Sequence, residues 1–110
     1  MRLWLDDVRN APEGWVHVRT PDEAIHLLRS GEVEEISLDH DLALVDGDGR
    51  EITGYDVLTW IENELGLGPG TFQIPTIHVH SANAAVYIRM EQAIRSIYSL
   101  SGTNQGDTGS

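Results

Sequence analysis

Residues 2–7, Arg-Leu-Trp-Leu-Asp-Asp, decide the fold class, because a short apolar run closed by acidic residues is typical of a buried strand that ends at a polar loop. Residues 35–38 end in the same way at Asp39, and residues 74–80 form another run of this kind. Helical patterns separate these runs. Strands that alternate with helices favour a parallel sheet, so the sequence predicts an α/β domain.

Three helical patterns accompany the strands. Thr20, Pro21 and Glu23 supply an N-cap, a proline at the first helical position and a capping-box acid, so a helix is expected to begin here. A second helix is predicted from Tyr55 onwards. The third follows the last strand, with Asn83 as its candidate cap.

The other segments complete the predicted organisation. Residues 15–19 are a further strand candidate, separated from the first by only a short loop. Residues 43–53 form a polar loop with room for a small hairpin, and residues 67–73 form a Gly/Pro-rich connection. We predict one domain over residues 1–100, followed by a disordered Gly-, Ser- and Thr-rich tail at 101–110.

Composition restricts the function classes. The chain has 110 residues, of which 40% are hydrophobic, enough for one core and too few for two. No apolar run reaches the roughly 18 residues of a membrane span, and the N-terminus has no signal-peptide pattern, so a cytoplasmic protein without a membrane partner is expected. Cysteine is absent, so any metal must use oxygen or imidazole ligands.

The charge of the chain bears on its partners. A formal net charge of −11 argues against an extended nucleic-acid surface, which needs a basic stripe. A small phosphate ligand or an RNA end remains a possible partner. All seven basic residues are arginine, which holds a phosphate through a planar fork, although compositional bias alone also explains this. The sequence leaves the oligomeric state open.

Acidic residues follow the predicted strands at the edge where ligands bind in open α/β sheets. Asp6 and Asp7 follow the first strand, and Asp39 follows the third. Two carboxylates about 4 Å apart repel by roughly 4 kcal/mol at an effective dielectric near 20, and a divalent cation removes that repulsion. We therefore predict that these three residues bind Mg²⁺ or Mn²⁺. The alternative is that they only cap loops.

Two histidines are predicted to take part in catalysis together with Asp39. His40 lies between two aspartates just after a strand, and His80 ends the last strand at the same edge. Imidazole titrates in the range useful for proton transfer. His78 shares a strand face with His80 but lies further from the edge, so we assign it a structural role.

Residues beside these groups are candidate phosphate ligands. Arg9 follows the first acidic pair, with an exposed surface arginine as the alternative, and Ser81 and Asn83 follow the last strand. His17 and His26 have no acidic cluster beside them in the sequence and are expected to be structural or surface residues. The remaining expectations are a turn at Asp46 and Asp48, and packing in or around the core for Trp4, Trp15 and Trp60.

The order of these groups resembles the receiver domain of bacterial response regulators. The resemblance implies a flavodoxin-like, doubly wound parallel sheet, here reduced to about four strands. It also implies that Asp6 and Asp7 bind metal, that Asp39 matches the phosphoacceptor and that Ser81 matches the switch hydroxyl. Three features depart from an ordinary receiver: there is no lysine to bind the phosphate, no helix between the first two strands and no fifth strand.

A more specific resemblance rests on four segments. They are LWLDDVRNAPEGW (3–15), ISLDHDL (36–42), TGYDVLTWIE (53–62) and IHVHSAN (77–83). Together they resemble the cyclic-phosphate processing receiver domain family over nearly the whole chain. The resemblance implies a metal-dependent phosphoesterase acting on a cyclic phosphate, such as a 2′,3′-cyclic RNA end or a cyclic nucleotide. The alternative is a non-enzymatic signalling or nucleotide-binding module with Asp39 as phosphoacceptor.

Overall fold

A computed structural model of the chain describes residues 1–65, 74–81 and 83–100. Four strands form a parallel sheet, and three helices and one antiparallel hairpin complete the fold. The strands are β1 (Arg2–Leu5), β2 (Val16–Val18), β3 (Glu35–Leu38), β4 (Asp41–Val45), β5 (Glu51–Thr53) and β6 (Thr76–Val79). The helices are α1 (Pro21–Leu28), α2 (Tyr55–Leu65) and α3 (Ala84–Leu100).

The strand order β2-β1-β3-β6 corresponds to positions 2-1-3-4 of the flavodoxin-like order. The predicted α/β class and the reduced receiver-like sheet are therefore confirmed. The predicted connection at 67–73 and the tail at 101–110 lie outside the described residues. None of the helices within those residues is long and apolar enough to span a membrane.

A hairpin occupies the predicted polar loop between β3 and α2. Strands β4 and β5 pair antiparallel, and their turn is held by Asp46, whose Oδ1 accepts the backbone N–H groups of Asp48 and Arg50 at 2.9 Å each. Gly49 has φ of 81°, a conformation that favours glycine. The interpretation of Asp46 as a turn residue is confirmed.

One face of the parallel sheet is covered by the helices. Helix α2 contacts both α1 and α3, so the three helices form a single layer. Alternate strand residues face this layer, and they are aliphatic and buried: Leu3, Leu5, Val18, Ile36, Leu38 and Ile77. We call this the helix-covered face, and it forms the hydrophobic core together with the buried sides of the helices.

The opposite face carries the alternate residues of the same strands. The register places His17, Trp4, Ser37 and His78 in one row across the sheet, with Arg2 and Glu35 in the next. We call these six residues the open face, because no described helix lies on it. Parallel sheets are usually covered on both faces. Here the ten-residue loop 6–15 joins β1 to β2 where a helix usually stands.

Candidate functional site

Three side chains from three strand ends meet at the carboxyl edge of the sheet. Asp6, Asp39 and His80 each directly follow the last residue of a strand, and the backbone N–H groups of Asp39 and His80 extend the hydrogen-bond ladder at 3.0 and 2.9 Å. Side chains alternate along a strand, so all three share the direction of the open face. One ligand atom from each lies within 4.8 Å of the others, a spacing that suits one metal ion.

Asp6 is fully buried and held in one orientation. Its Oδ1 accepts the backbone N–H groups of Val8 and Arg9 at 2.9 Å each, and its Oδ2 lies 3.1 Å from Nε2 of His80. Burial alone would raise the pKa of Asp6, but the hydrogen bonds from Arg9, Val8 and His80 hold it below the ordinary value. Asp6 is therefore an ionised carboxylate at neutral pH.

The His80 ring is fixed on three sides. Its Nδ1 lies 2.7 Å from Oγ of Ser37, its Nε2 faces Asp6, and the ring stacks on Trp4 at a centroid distance of 3.9 Å and an interplanar angle of 6°. Burial lowers the pKa of His80 and outweighs the opposing effect of Asp6. The imidazole is thus neutral at neutral pH, the form that binds a metal or accepts a proton.

Asp39 experiences the opposite balance from Asp6. Burial and the negative charge of Asp6 raise the pKa of Asp39, and the backbone N–H groups of Asp41 and His40 only partly offset them. When Asp39 is ionised, its negative charge is repelled by that of Asp6. A cation between them would remove the repulsion, so the residues present fit a divalent metal.

Gly54 positions Asp39 through close backbone contact, and our sequence reasoning did not identify it. A Cβ atom at Gly54 would lie 1.9 Å from the carbonyl oxygen of Asp39, a distance that no side chain can occupy. The Gly54 N–H also donates to the carbonyl of His40 at 3.2 Å. The only sequence signal was a glycine just before the predicted second helix.

Two of the predicted metal-binding and catalytic residues lie outside the three-residue cluster. Asp7 is half-buried, and its carbonyl oxygen accepts a hydrogen bond from Arg19 at 2.8 Å. His40 donates from Nδ1 to the exposed carboxylate of Asp41 at 2.8 Å. The structure thus brings His80 together with Asp6 and Asp39, whereas Asp7, which we had predicted as a ligand, is not in this group.

The predicted phosphate ligands lie around this cluster. Arg9 donates to the carbonyl of His80 at 3.2 Å, and its positive charge lowers the pKa of Asp39. Ser81 Oγ accepts the backbone N–H of Asn83 at 3.2 Å. Asn83 Oδ1 accepts the backbone N–H of Val86 at 3.2 Å, which confirms it as the cap of α3. Arg9 is therefore the predicted phosphate ligand with a direct contact to the cluster.

Histidines on the open face have supporting contacts. His17 donates from Nε2 to the backbone carbonyl of Asp6 at 2.8 Å and so holds the loop after β1. His78 donates to Glu35 at 2.7 Å, one row away from the metal-site candidates. Ser37 and Trp4, which hold His80, were not identified as site residues. The sequence could have indicated them, because Ser37 precedes Asp39 by two residues and Trp4 precedes Asp6 by two, and residues two apart on a strand share a face.

Comparison with known proteins agrees with this architecture. The model of a family described as the cyclic-phosphate processing receiver domain matches residues 1–96. The match includes all six strands, the first two helices and most of the third. No curated protein and no solved structure matches the chain.

Proposed function

The chain belongs to the cyclic-phosphate processing receiver domain family, and from that premise we propose that it is a metal-dependent phosphoesterase that opens a cyclic phosphate. The observation that carries the proposal is the cluster of Asp6, Asp39 and His80 at the edge of the sheet where flavodoxin-like folds bind ligands. The substrate class is a 2′,3′-cyclic phosphate at an RNA end or a cyclic nucleotide. Either would present one small phosphate and would not require an extended basic surface.

The donor set indicates which metal to test first. Carboxylates suit Mg²⁺ and Mn²⁺, whereas imidazole suits transition-metal ions such as Zn²⁺. Because His80 stands beside the two carboxylates, we propose Mn²⁺ ahead of Mg²⁺, with Asp6, Asp39 and His80 as ligands. A bound divalent ion supplies Lewis-acid polarisation of a phosphoryl oxygen. Asp7, which we expected to be a ligand, has no assigned bond in this scheme.

Hydrolysis of a cyclic phosphate requires a water oxygen to attack phosphorus while one ribose oxygen leaves and takes up a proton. His40 is our candidate for proton transfer, because it lies next to Asp39 in sequence and its Nδ1 is hydrogen-bonded to Asp41. His80, which we had also expected to transfer a proton, is a metal ligand in this proposal. We propose that Arg9, which donates to the His80 carbonyl, also holds the phosphate, together with Ser81 and Asn83, which follow His80 in the sequence.

A panel of cyclic phosphates, incubated with the protein and Mn²⁺ or Mg²⁺ and then analysed by phosphorus NMR after a chelator has removed the ion, tests the proposal. Wild type should convert at least one of them to a phosphomonoester. His40→Ala should lower the rate by about 10²–10⁴, the usual contribution of one general acid or base. His26→Ala is the matched control, since His26 is exposed on α1. If wild type hydrolyses none of these cyclic phosphates with any divalent ion, the proposed phosphoesterase activity is wrong.

Metal binding is tested separately by thermal unfolding. An ion present at about 100 times its dissociation constant stabilises by roughly 2.7 kcal/mol if it binds only the folded state. We expect this shift in wild type and its loss in Asp39→Asn. An equal shift in both proteins would place the ion elsewhere.

A non-enzymatic module with Asp39 as phosphoacceptor is the second candidate. It is favoured by the position of Asp39 directly after β3, beside the buried acid Asp6. The sequence contains no lysine to bind the phosphoryl group, which weighs against it. Incubation with a small phosphodonor and Mg²⁺, followed by intact mass, distinguishes the two: an adduct absent from Asp39→Asn would favour the module.

A further inference from the structure

Ser37 is a buried hydroxyl in an otherwise apolar stretch of strand β3. Only 4% of the residue is exposed, and its neighbours Ile36 and Leu38 are fully buried in the core. Its Oγ lies 2.7 Å from Nδ1 of His80, a residue 43 positions away in the chain. A buried hydroxyl costs stability unless it is hydrogen-bonded, so His80 is the contact that makes serine tolerable here.

We propose that Ser37 is a positioning residue of the metal site, which holds His80 in both of its tautomers and so allows the ring to change from hydrogen-bond donor to metal ligand without turning. This inference rests on the proposed metal-dependent function. It adds a residue that touches neither the metal nor the substrate in our scheme.

The metal-free tautomer follows from the partners of the ring. The ionised Asp6 carboxylate can only accept a hydrogen bond, so Nε2 of the neutral His80 ring carries the hydrogen and donates it. Nδ1 then has a lone pair, and the Ser37 hydroxyl donates to it. Both ring nitrogens are satisfied in this arrangement.

Binding of an ion by Nε2 requires the other tautomer, because the nitrogen must offer its lone pair. The hydrogen then leaves Nε2 for solvent and another is taken up at Nδ1, so the ring stays neutral and the proton count is unchanged. Ser37 accepts this Nδ1–H by rotating its own hydroxyl hydrogen away. A hydroxyl can act as donor or acceptor, whereas a carboxylate could only accept and an alanine could do neither.

Stacking on Trp4 keeps the ring in place during this exchange. The two rings are almost parallel, and the His80 side chain is only 13% exposed. A flip of the imidazole would break the Ser37 contact, the Asp6 contact and the stack together. A change of hydrogen position breaks none of these heavy-atom contacts.

Nitrogen-15 NMR of His80 and calorimetry with Zn²⁺, a diamagnetic probe ion, test the inference on Ser37→Ala and Ser37→Thr. Wild type should show a protonated Nε2 without ion and a protonated Nδ1 with Zn²⁺. In Ser37→Ala the metal-free Nδ1 resonance should move, since its donor is lost, and Zn²⁺ affinity should fall by about 10–100-fold. Ser37→Thr, which keeps the hydroxyl, should restore both.

Tyr98→Phe is the matched control, because the Tyr98 hydroxyl accepts the Ile77 backbone N–H at 3.0 Å on β6, the strand that His80 directly follows, but away from the site. It should lower stability without changing the His80 spectrum. Ser37→Ala with wild-type Zn²⁺ affinity, or with an unchanged Nδ1 resonance, would overturn the inference. Wild type that binds no divalent ion would overturn the metal site and the role of Ser37 as acceptor from Nδ1. The metal-free spectra would still test its role as donor to Nδ1.

Discussion

The two faces of the parallel sheet are built from alternate residues of the same strands, yet they differ in the polarity of their side chains and in what those side chains contact. Leu5 and Leu38 on the helix-covered face are fully buried among aliphatic side chains. Trp4 and Ser37, one position earlier on the same strands, lie on the open face and contact His80. One face therefore stabilises the fold, and the other positions the candidate site.

This difference shows why the missing helix matters. A helix on the open face would have to bury the polar groups of the site against an apolar surface, which costs free energy for every group left without a partner. The loop 6–15 takes the place of that helix, so no described helix covers the edge at which Asp6, Asp39 and His80 meet. The predictions below test this division between the faces.

The largest effect is expected on the helix-covered face. Leu38→Ala should lower the free energy of unfolding by about 2–5 kcal/mol, the usual result of truncating a buried leucine. Ser37→Ala, its neighbour on the other face, should cost about 1 kcal/mol, since it removes one hydrogen bond. Urea unfolding of the two variants compares the faces directly. Equal losses would show that the open face also carries the stability of the domain.

Gly54→Ala tests the backbone contact that joins the hairpin segment to the site. The new Cβ would collide with the Asp39 carbonyl, so we expect a loss of about 1–3 kcal/mol or more, as for overpacking. Divalent-ion affinity should fall as well, because Asp39 must shift. Gly47→Ala is the control, since a Cβ at Gly47 meets nothing within 4 Å. Similar behaviour of the two variants would contradict the close approach.

Asp39→Asn should raise the melting temperature of the metal-free protein, against the usual destabilising direction of a single substitution. The pKa of Asp39 is raised by burial and by Asp6, so its ionised form at neutral pH is disfavoured in the fold, and a neutral amide removes that cost. Asp48→Asn on the exposed hairpin serves as the control. A lower melting temperature for Asp39→Asn would mean that its hydrogen bonds matter more than the repulsion.

The smallest effect concerns acid pH. Burial lowers the pKa of His80 in the folded protein. Below about pH 6.5, His80 is therefore protonated in the unfolded chain while it is still neutral in the folded protein. Its contribution to stability is present above that pH and is lost as pH falls towards the folded pKa. Melting temperatures between pH 7 and pH 5 should fall less in His80→Gln than in wild type. An identical slope would show that His80 is not protected from protonation.

The sequence alone could predict which residues directly follow a strand and so lie at the edge of the sheet. Asp6 and Asp39 were placed correctly at one edge because each directly follows an apolar strand. The role of Asp7 as a metal ligand stays a prediction. Adjacent residues near a strand end point in different directions, and of Asp6 and Asp7 the structure places only Asp6 in the cluster.

Contacts between distant strands were beyond the reach of sequence patterns. The pairing of Ser37 with His80 depends on the register of β3 against β6, and the hydrophobic pattern fixes which face a residue takes but allows a shift of two residues along the strand. The same holds for Gly54, whose role appears only when the hairpin segment returns to β3. Local signals predicted the caps and turns, such as Asn83 and Asp46, because their partners lie within four residues.

The stack between Trp4 and His80 gives the protein a built-in optical probe. Indole emission responds to the ring packed against it, and here that ring is the imidazole that faces Asp6. An ion or ligand that changes the electronic state of His80 will therefore change the fluorescence of Trp4. Trp15, whose ring lies 6.0 Å from that of Trp4, contributes to the same emission, whereas Trp60 packs against the core and supplies a background that should not respond. Binding at this site can then be followed in the unlabelled chain, with Trp4→Phe as the variant that silences the signal.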